Sequence, residues 1–120
     1  MLTIAMVQER VADHYGITAY DLQCRSRVSE VVCPRHVAMY LCRKLIKNGR
    51  NTYKKIGKAF DRDHSTVISA IRGIERDLQF NPFHNPLNDE ELQGAIDTIT
   101  EKLEASQHEY VNYIYVGGQK

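Results

Sequence analysis

Apolar residues recur along this chain at steps of three and four, the spacing of one face of a helix. Ile4, Val7, Val11 and Tyr15 form the first stripe, opened by Thr3 as an N-cap and closed by Gly16. A short second helix is predicted over Ile17–Leu22, with Thr18 as its cap and Asp21 in its first turn. Cys24–Cys33 is polar and β-branched without a period, and reads as a loop. Pro34 has no N–H to satisfy and suits a first helical position, so a third helix is predicted to open there. Val37, Ala38, Leu41 and Leu45 are its inward stripe, and Asn48-Gly49 stops it. Thr52 then caps a fourth helix over Tyr53–Phe60, with Ile56 and Phe60 facing inward.

The polar turn Asp61-Arg62-Asp63 leads into the most informative stretch. Val67, Ile71, Ile74 and Leu78 recur at four, three and four, while Ser65, Thr66, Ser69, Arg72 and Arg76 occupy the other face. Asp63 stands where an N-cap belongs, its carboxylate able to accept from the first backbone N–H groups. A short helix, a tight turn and a capped helix with apolar back and hydroxyl- and Arg-bearing front fit a helix-turn-helix. Gly73 inside that second helix should cost about 1 kcal/mol relative to Ala, which would be explained if something approaches closely there.

Charge sharpens this picture. The net charge of the 120 residues is only +1, yet between Arg25 and Arg62 eleven basic residues face two acidic ones, a local +9. From Asn81 onward two basic residues face seven acidic ones, a local −5. The basic block has the character of a phosphate-binding surface. No apolar run is long enough to span a bilayer and no secretory pattern occurs, so no membrane partner and a cytoplasmic location are expected. Cys24, Cys33 and Cys42 contain no C-x-x-C pair, and the Cys33/His36 spacing has no second pair beside it, so neither a metal nor a cofactor is expected. His64 and Ser65 are mere neighbours on a helix with no third group to orient them, so no catalytic residue and no small-molecule substrate is expected.

The run Ile56-Gly57…Phe60-Asp61-Arg62-Asp63-His64-Ser65-Thr66-Val67-Ile68…Ala70 resembles the signature of the C-terminal DNA-binding domain (domain IV) of DnaA, the bacterial replication initiator. Pro34-Arg35-His36-Val37-Ala38-Met39-Tyr40-Leu41 is similar to the Pro-Arg-Gln-x-Ala-Met-Tyr-Leu pattern of the same family. The likeness covers about residues 3–80. It implies an all-α helical bundle containing a helix-turn-helix, with double-stranded DNA as the partner and DnaA-box-like sites of the TTATCCACA type as targets, in replication or its regulation. In that family the Arg-Asp-His-Ser/Thr-Thr segment opens the helix that reads the major groove, which assigns base reading to Asp63, His64, Ser65, Thr66 and Ser69. The Thr66 methyl suits a thymine methyl, and Asp63 can accept from a cytosine amino group. Aligned on the Pro-Arg pair, Arg27 takes the place of the family's minor-groove arginine. Arg25, Arg35, Arg43, Lys54, Lys55, Arg62 and Arg72 are expected to hold phosphates.

This reading divides the chain into a DNA-binding domain (1–80), a proline-bearing linker (81–87) and an acidic C-terminal helix and tail (88–120). In the last part Asn88 is an N-cap, and Leu92, Ile96, Ile99 and Leu103 form a narrow stripe. Tyr110–Val116 has the composition of a short strand, with no second strand to pair with. The stripe needs a cover: the N-terminal domain, a second copy or another protein. Association with a second copy or a protein partner through residues 88–116 is the expectation. No Walker-type glycine loop occurs, so a stand-alone protein that does not melt an origin by itself is expected. The alternative is a protein-interaction adaptor or transcriptional regulator of phage or mobile-element origin that uses its acidic end.

Overall fold

The computed structural model describes residues 2–24, 29–47, 49–79 and 91–105, and every regular element among them is a helix. They are α1 (Ile4–Tyr15), α2 (Ala19–Gln23), α3 (Ser29–Leu45), α4 (Tyr53–Phe60), α5 (His64–Gln79) and α6 (91–105). The protein is all-α, as expected. The expected linker and the Tyr110–Val116 run lie outside the described residues.

The helix ends follow local chemistry. Thr3 accepts from the Met6 N–H, and α1 closes at Gly16 in the left-handed region (φ 71°), where the Ile17 N–H reaches the Ala12 carbonyl. Thr18 and Asp21 form a reciprocal capping box on α2. Thr52 accepts from the Lys55 N–H to start α4.

One boundary differs from expectation. α3 begins at Ser29, so residues 29–33 are helical and Pro34 lies inside the helix rather than at its start. Lacking an N–H, Pro34 cannot bond the carbonyl four residues back, a loss that burial of the helix must offset. That burial is extensive: Val37, Ala38, Met39, Leu41 and Cys42 are fully buried, and Tyr40 and Ile46 nearly so. A helix apolar on almost all sides belongs at the centre. Accordingly α3 packs against α1, α2, α4 and α5.

The stripe of α6 finds its cover within the chain. Ile96, Ile99 and Leu103 join the same core as Val7, Val11, Leu22, Phe60 and Val67, with Leu92 packed at its margin. Glu91 lies near enough to Tyr15 to act on its hydroxyl, while Leu103 shares a cleft with Met6, Glu9, Arg10 and Asp13. The C-terminal part of α6 therefore lies beside α1. Each of its three core side chains contributes about 1.5–3 kcal/mol by leaving water. Of the three covers expected, the chain itself supplies the first, which removes the reason for pairing two copies through this stripe. Burial, aided by Cys33 and Glu91, raises the Tyr15 hydroxyl pKa to about 12.

Gly73 has no close neighbour. A methyl there would lie 3.9 Å from Arg76 Nη2 and meet nothing nearer, so no close approach explains the glycine. Gly73→Ala is expected to raise unfolding stability by about 1 kcal/mol through helix propensity, read from urea denaturation.

Candidate nucleic-acid interface

The site is built on the turn between α4 and α5. Asp61 adopts the left-handed conformation (φ 54°), its N–H reaching the Lys58 carbonyl at 3.3 Å while the Arg62 N–H reaches that of Gly57 at 2.8 Å. This pairing folds the chain back so tightly that a Cβ on Gly57 would stand 2.5 Å from the Arg62 carbonyl oxygen. Gly57 therefore sets how closely the two helices approach.

Asp63 then starts α5. Its carbonyl accepts from the Val67 N–H at 3.2 Å, and its Oδ2 accepts from both the Ser65 N–H (3.3 Å) and the Ser65 hydroxyl. Its Oδ1 lies 3.4 Å from His64 Nδ1. The two bonds from Ser65, with the nearby His64, hold the Asp63 carboxyl below its ordinary pKa. A depressed acid stabilises the fold above the unfolded carboxylate pKa and loses that effect as pH falls through the folded one, so the cap is intact at neutral pH. Because Nδ1 of His64 turns to Asp63, Nε2 remains for an external partner.

Behind this end the helix is anchored by Val67, Ala70, Ile71 and Ile74, all buried. In front, Asp63, His64, Ser65, Thr66, Ser69, Arg72 and Arg76 are all exposed. The expected base-reading residues of α5 thus stand together on one accessible face. On α4, Lys54, Lys55 and Lys58 are exposed too, with Lys55 Nζ donating to the Gly49 carbonyl at 3.0 Å. Arg43 is exposed but partly engaged: Nη1 donates to the Asn51 carbonyl at 3.0 Å and the guanidinium lies 4.3 Å over the Tyr53 ring. Asn51 returns a bond from Nδ2 to the Arg43 carbonyl, fixing the approach to α4.

Arg35 corrects the expectation of a phosphate contact. It is only 4% exposed. Its Nε donates to the Leu22 carbonyl (2.9 Å) and its Nη2 to those of Asp21 (3.2 Å) and Cys24 (2.8 Å). A guanidinium turned inward to three backbone carbonyls is not available to a phosphate. Arg62, half-buried, is engaged as well, through Nη1 to the Phe60 and Asp61 carbonyls and Nη2 to that of Cys24 at 2.7 Å. Arg25 and Arg27 lie outside the described residues.

One supporting residue escapes a reading of the sequence. Gln8 is 5% exposed and donates from Nε2 to the Ala59 carbonyl at 3.1 Å, while its Oε1 accepts from Gln23 at 3.4 Å. It fastens α1 and α2 to the end of α4. The only sequence signal is its place beside Val7 on the inward side of α1. Tyr20, by contrast, is 73% exposed although its ring would suit a core. Among the described residues no cluster of three His, Cys, Asp or Glu side chains could hold a metal, and no helix is long and apolar enough to cross a membrane.

The family model "Bacterial dnaA protein helix-turn-helix" matches residues 4–74. Among similar proteins, the chromosomal replication initiator protein DnaA of Limosilactobacillus fermentum is 39% identical over 105 residues, covering 87% of this chain and 22% of that protein. DnaA 1 of Chlamydia pneumoniae is 36% identical over 103 residues, covering 86% of this chain and 22% of that protein. DnaA of Geobacter sp. (strain M21) is 33% identical over 103 residues, covering 85% and 20%. The chain spans about a fifth of the length of these relatives. A contiguous match over 85% of 120 residues must reach past residue 100 wherever it starts, so the likeness includes most of α6 as well as the helix-turn-helix.

Proposed function

Because the chain belongs to the bacterial DnaA helix-turn-helix family, we propose that it binds double-stranded DNA in a sequence-specific manner at DnaA-box-like sites, in replication or its regulation. The observation that carries this reading is the exposed row Asp63, His64, Ser65, Thr66, Ser69 and Arg72 on a helix whose other face is buried in the core.

In this reading α5 enters the major groove by its N-terminal end. His64 offers Nε2 to a base edge, Ser65 and Ser69 offer hydroxyls, and Thr66 offers both a hydroxyl and a methyl for thymine. Asp63 caps the helix and keeps acceptor capacity for a cytosine amino group, since a carboxylate has about four lone-pair sites. Lys54, Lys55 and Arg72 take phosphates, joined by the unengaged edge of Arg43. Arg25 and Arg27 belong to the same proposal, the first at a phosphate and the second in the minor groove.

The experiment is a fluorescence-anisotropy titration of the chain with a duplex bearing TTATCCACA and with a scrambled duplex of equal composition, across a range of salt. A preference on the order of a thousandfold is expected for the first duplex. The logarithm of affinity should fall linearly with the logarithm of salt, by about 0.9 per phosphate neutralised. Equal affinity for both duplexes would refute sequence-specific recognition of this site.

A further inference from the structure

One backbone oxygen ties three parts of the fold together. The Cys24 carbonyl, at the end of α2, accepts from Arg35 Nη2 of α3 and from Arg62 Nη2 of the turn that opens α5. Arg62 spans 38 residues of sequence to reach it, while its Nη1 holds the carbonyls of Phe60 and Asp61 in the turn itself. Arg35 in turn holds the Asp21 and Leu22 carbonyls. Two guanidiniums, each carrying a full positive charge, thus converge on one acceptor.

We infer that Arg62 is a positioning residue for base recognition, fixing the entry angle of α5 by locking its opening turn to the Cys24 carbonyl that Arg35 holds from the other side. The inference rests on the DNA-binding reading and replaces the phosphate role expected for Arg62. The base-reading row begins at Asp63, the residue directly after Arg62, and base contacts tolerate displacements of only about half an ångström. A planar fork with donors on two edges can hold carbonyls from both the turn and α2 at once. A lysine ammonium, a single point charge on a flexible stem, cannot reproduce that geometry.

A phosphate contact and a positioning contact give opposite signatures. Loss of a phosphate contact weakens binding to all sequences and lowers the salt slope by about one. Loss of a positioning contact weakens only the specific complex and leaves the slope in place. The test titrates the full chain and its Arg62→Met and Arg62→Lys variants with the TTATCCACA duplex and its scrambled counterpart over a salt series, after circular dichroism confirms folding. Both variants are expected to lose about tenfold or more of the specific affinity while keeping the parent's scrambled-duplex affinity and salt slope. If Arg62→Met lowers both affinities together with the slope and Arg62→Lys restores them, the inference is overturned. Parent-like specificity in both variants overturns it too. Should Arg62→Met not fold, Arg62→Lys decides alone: lost specificity supports the inference and retained specificity sinks it. A parent chain without preference between the duplexes strikes the DNA reading and the inference together, whereas a selective parent with unaltered variants strikes the inference only.

Discussion

Gly57→Ala should cost the fold about 2–3 kcal/mol, a loss in the range of overpacked cores. In an ordinary helix the same substitution stabilises, because alanine has the higher helix propensity. Here the new methyl would be 2.5 Å from the Arg62 carbonyl oxygen and 3.5 Å from Val67 Cγ2. The oxygen is backbone, and its surroundings are fixed on several sides. The Arg62 N–H is bonded to Gly57 itself, Asp61 is held in the left-handed region, and the Arg62 side chain is tied to Cys24. Relief requires α4 and α5 to separate, which loosens Ile56 and Phe60 against Val67 and Ile71, all buried. For a domain of this size that loss corresponds to a fall of roughly 10–20 °C in melting temperature. Gly73→Ala, in the same motif but with open space around it, serves as the control of opposite sign. Thermal melts by circular dichroism read both, and a Gly57→Ala variant as stable as the parent would mean that the turn is looser than described.

His64→Ala and Thr66→Ala should each lower affinity for the specific duplex by about 1–3 kcal/mol, roughly tenfold to a hundredfold, with little change for scrambled DNA. Both side chains are exposed at the N-terminal end of α5, and neither supports the core. Lys55→Ala should behave differently. Its ammonium, exposed on α4 beside the Gly49 carbonyl, suits a phosphate and carries no sequence information. Both duplexes should therefore weaken alike, with a shallower salt slope. Parallel titrations of the three variants separate the two classes of contact. A uniform loss in all three would remove the base-reading role from His64 and Thr66.

Much of this arrangement is legible in the sequence because its signals are local. Thr3, Thr18, Thr52 and Asp63 cap helices within three residues of themselves, and the Val67/Ile71/Ile74 spacing declares which face of α5 is buried. What is illegible depends on partners far along the chain. Arg35 looks like one more member of a basic block, yet its acceptors are backbone carbonyls of residues 21, 22 and 24, which no side-chain pattern reveals. Its place three residues before buried Ala38, on the inward side of α3, was the available hint. The α6 stripe is equally plain in sequence, but a stripe states only that a cover exists. The cover proved to be the core that α6 shares with α1, rather than a second copy. The start of α3 is not legible in the sequence because a proline that suits a first turn is also tolerated deeper in a helix when burial on most sides offsets the missing bond.

In the proposed function, the exposed front of α5 reads base sequence in duplex DNA. The most direct test of this role is selection of bound sites from a random duplex library by the full chain, in parallel with a His64→Ala/Thr66→Ala double variant at the same salt. The parent is expected to enrich one short DnaA-box-like motif, and the variant to lose preference at a few adjacent positions of that motif while retaining the others. No enrichment by the parent, or coincident profiles for parent and variant, would contradict it.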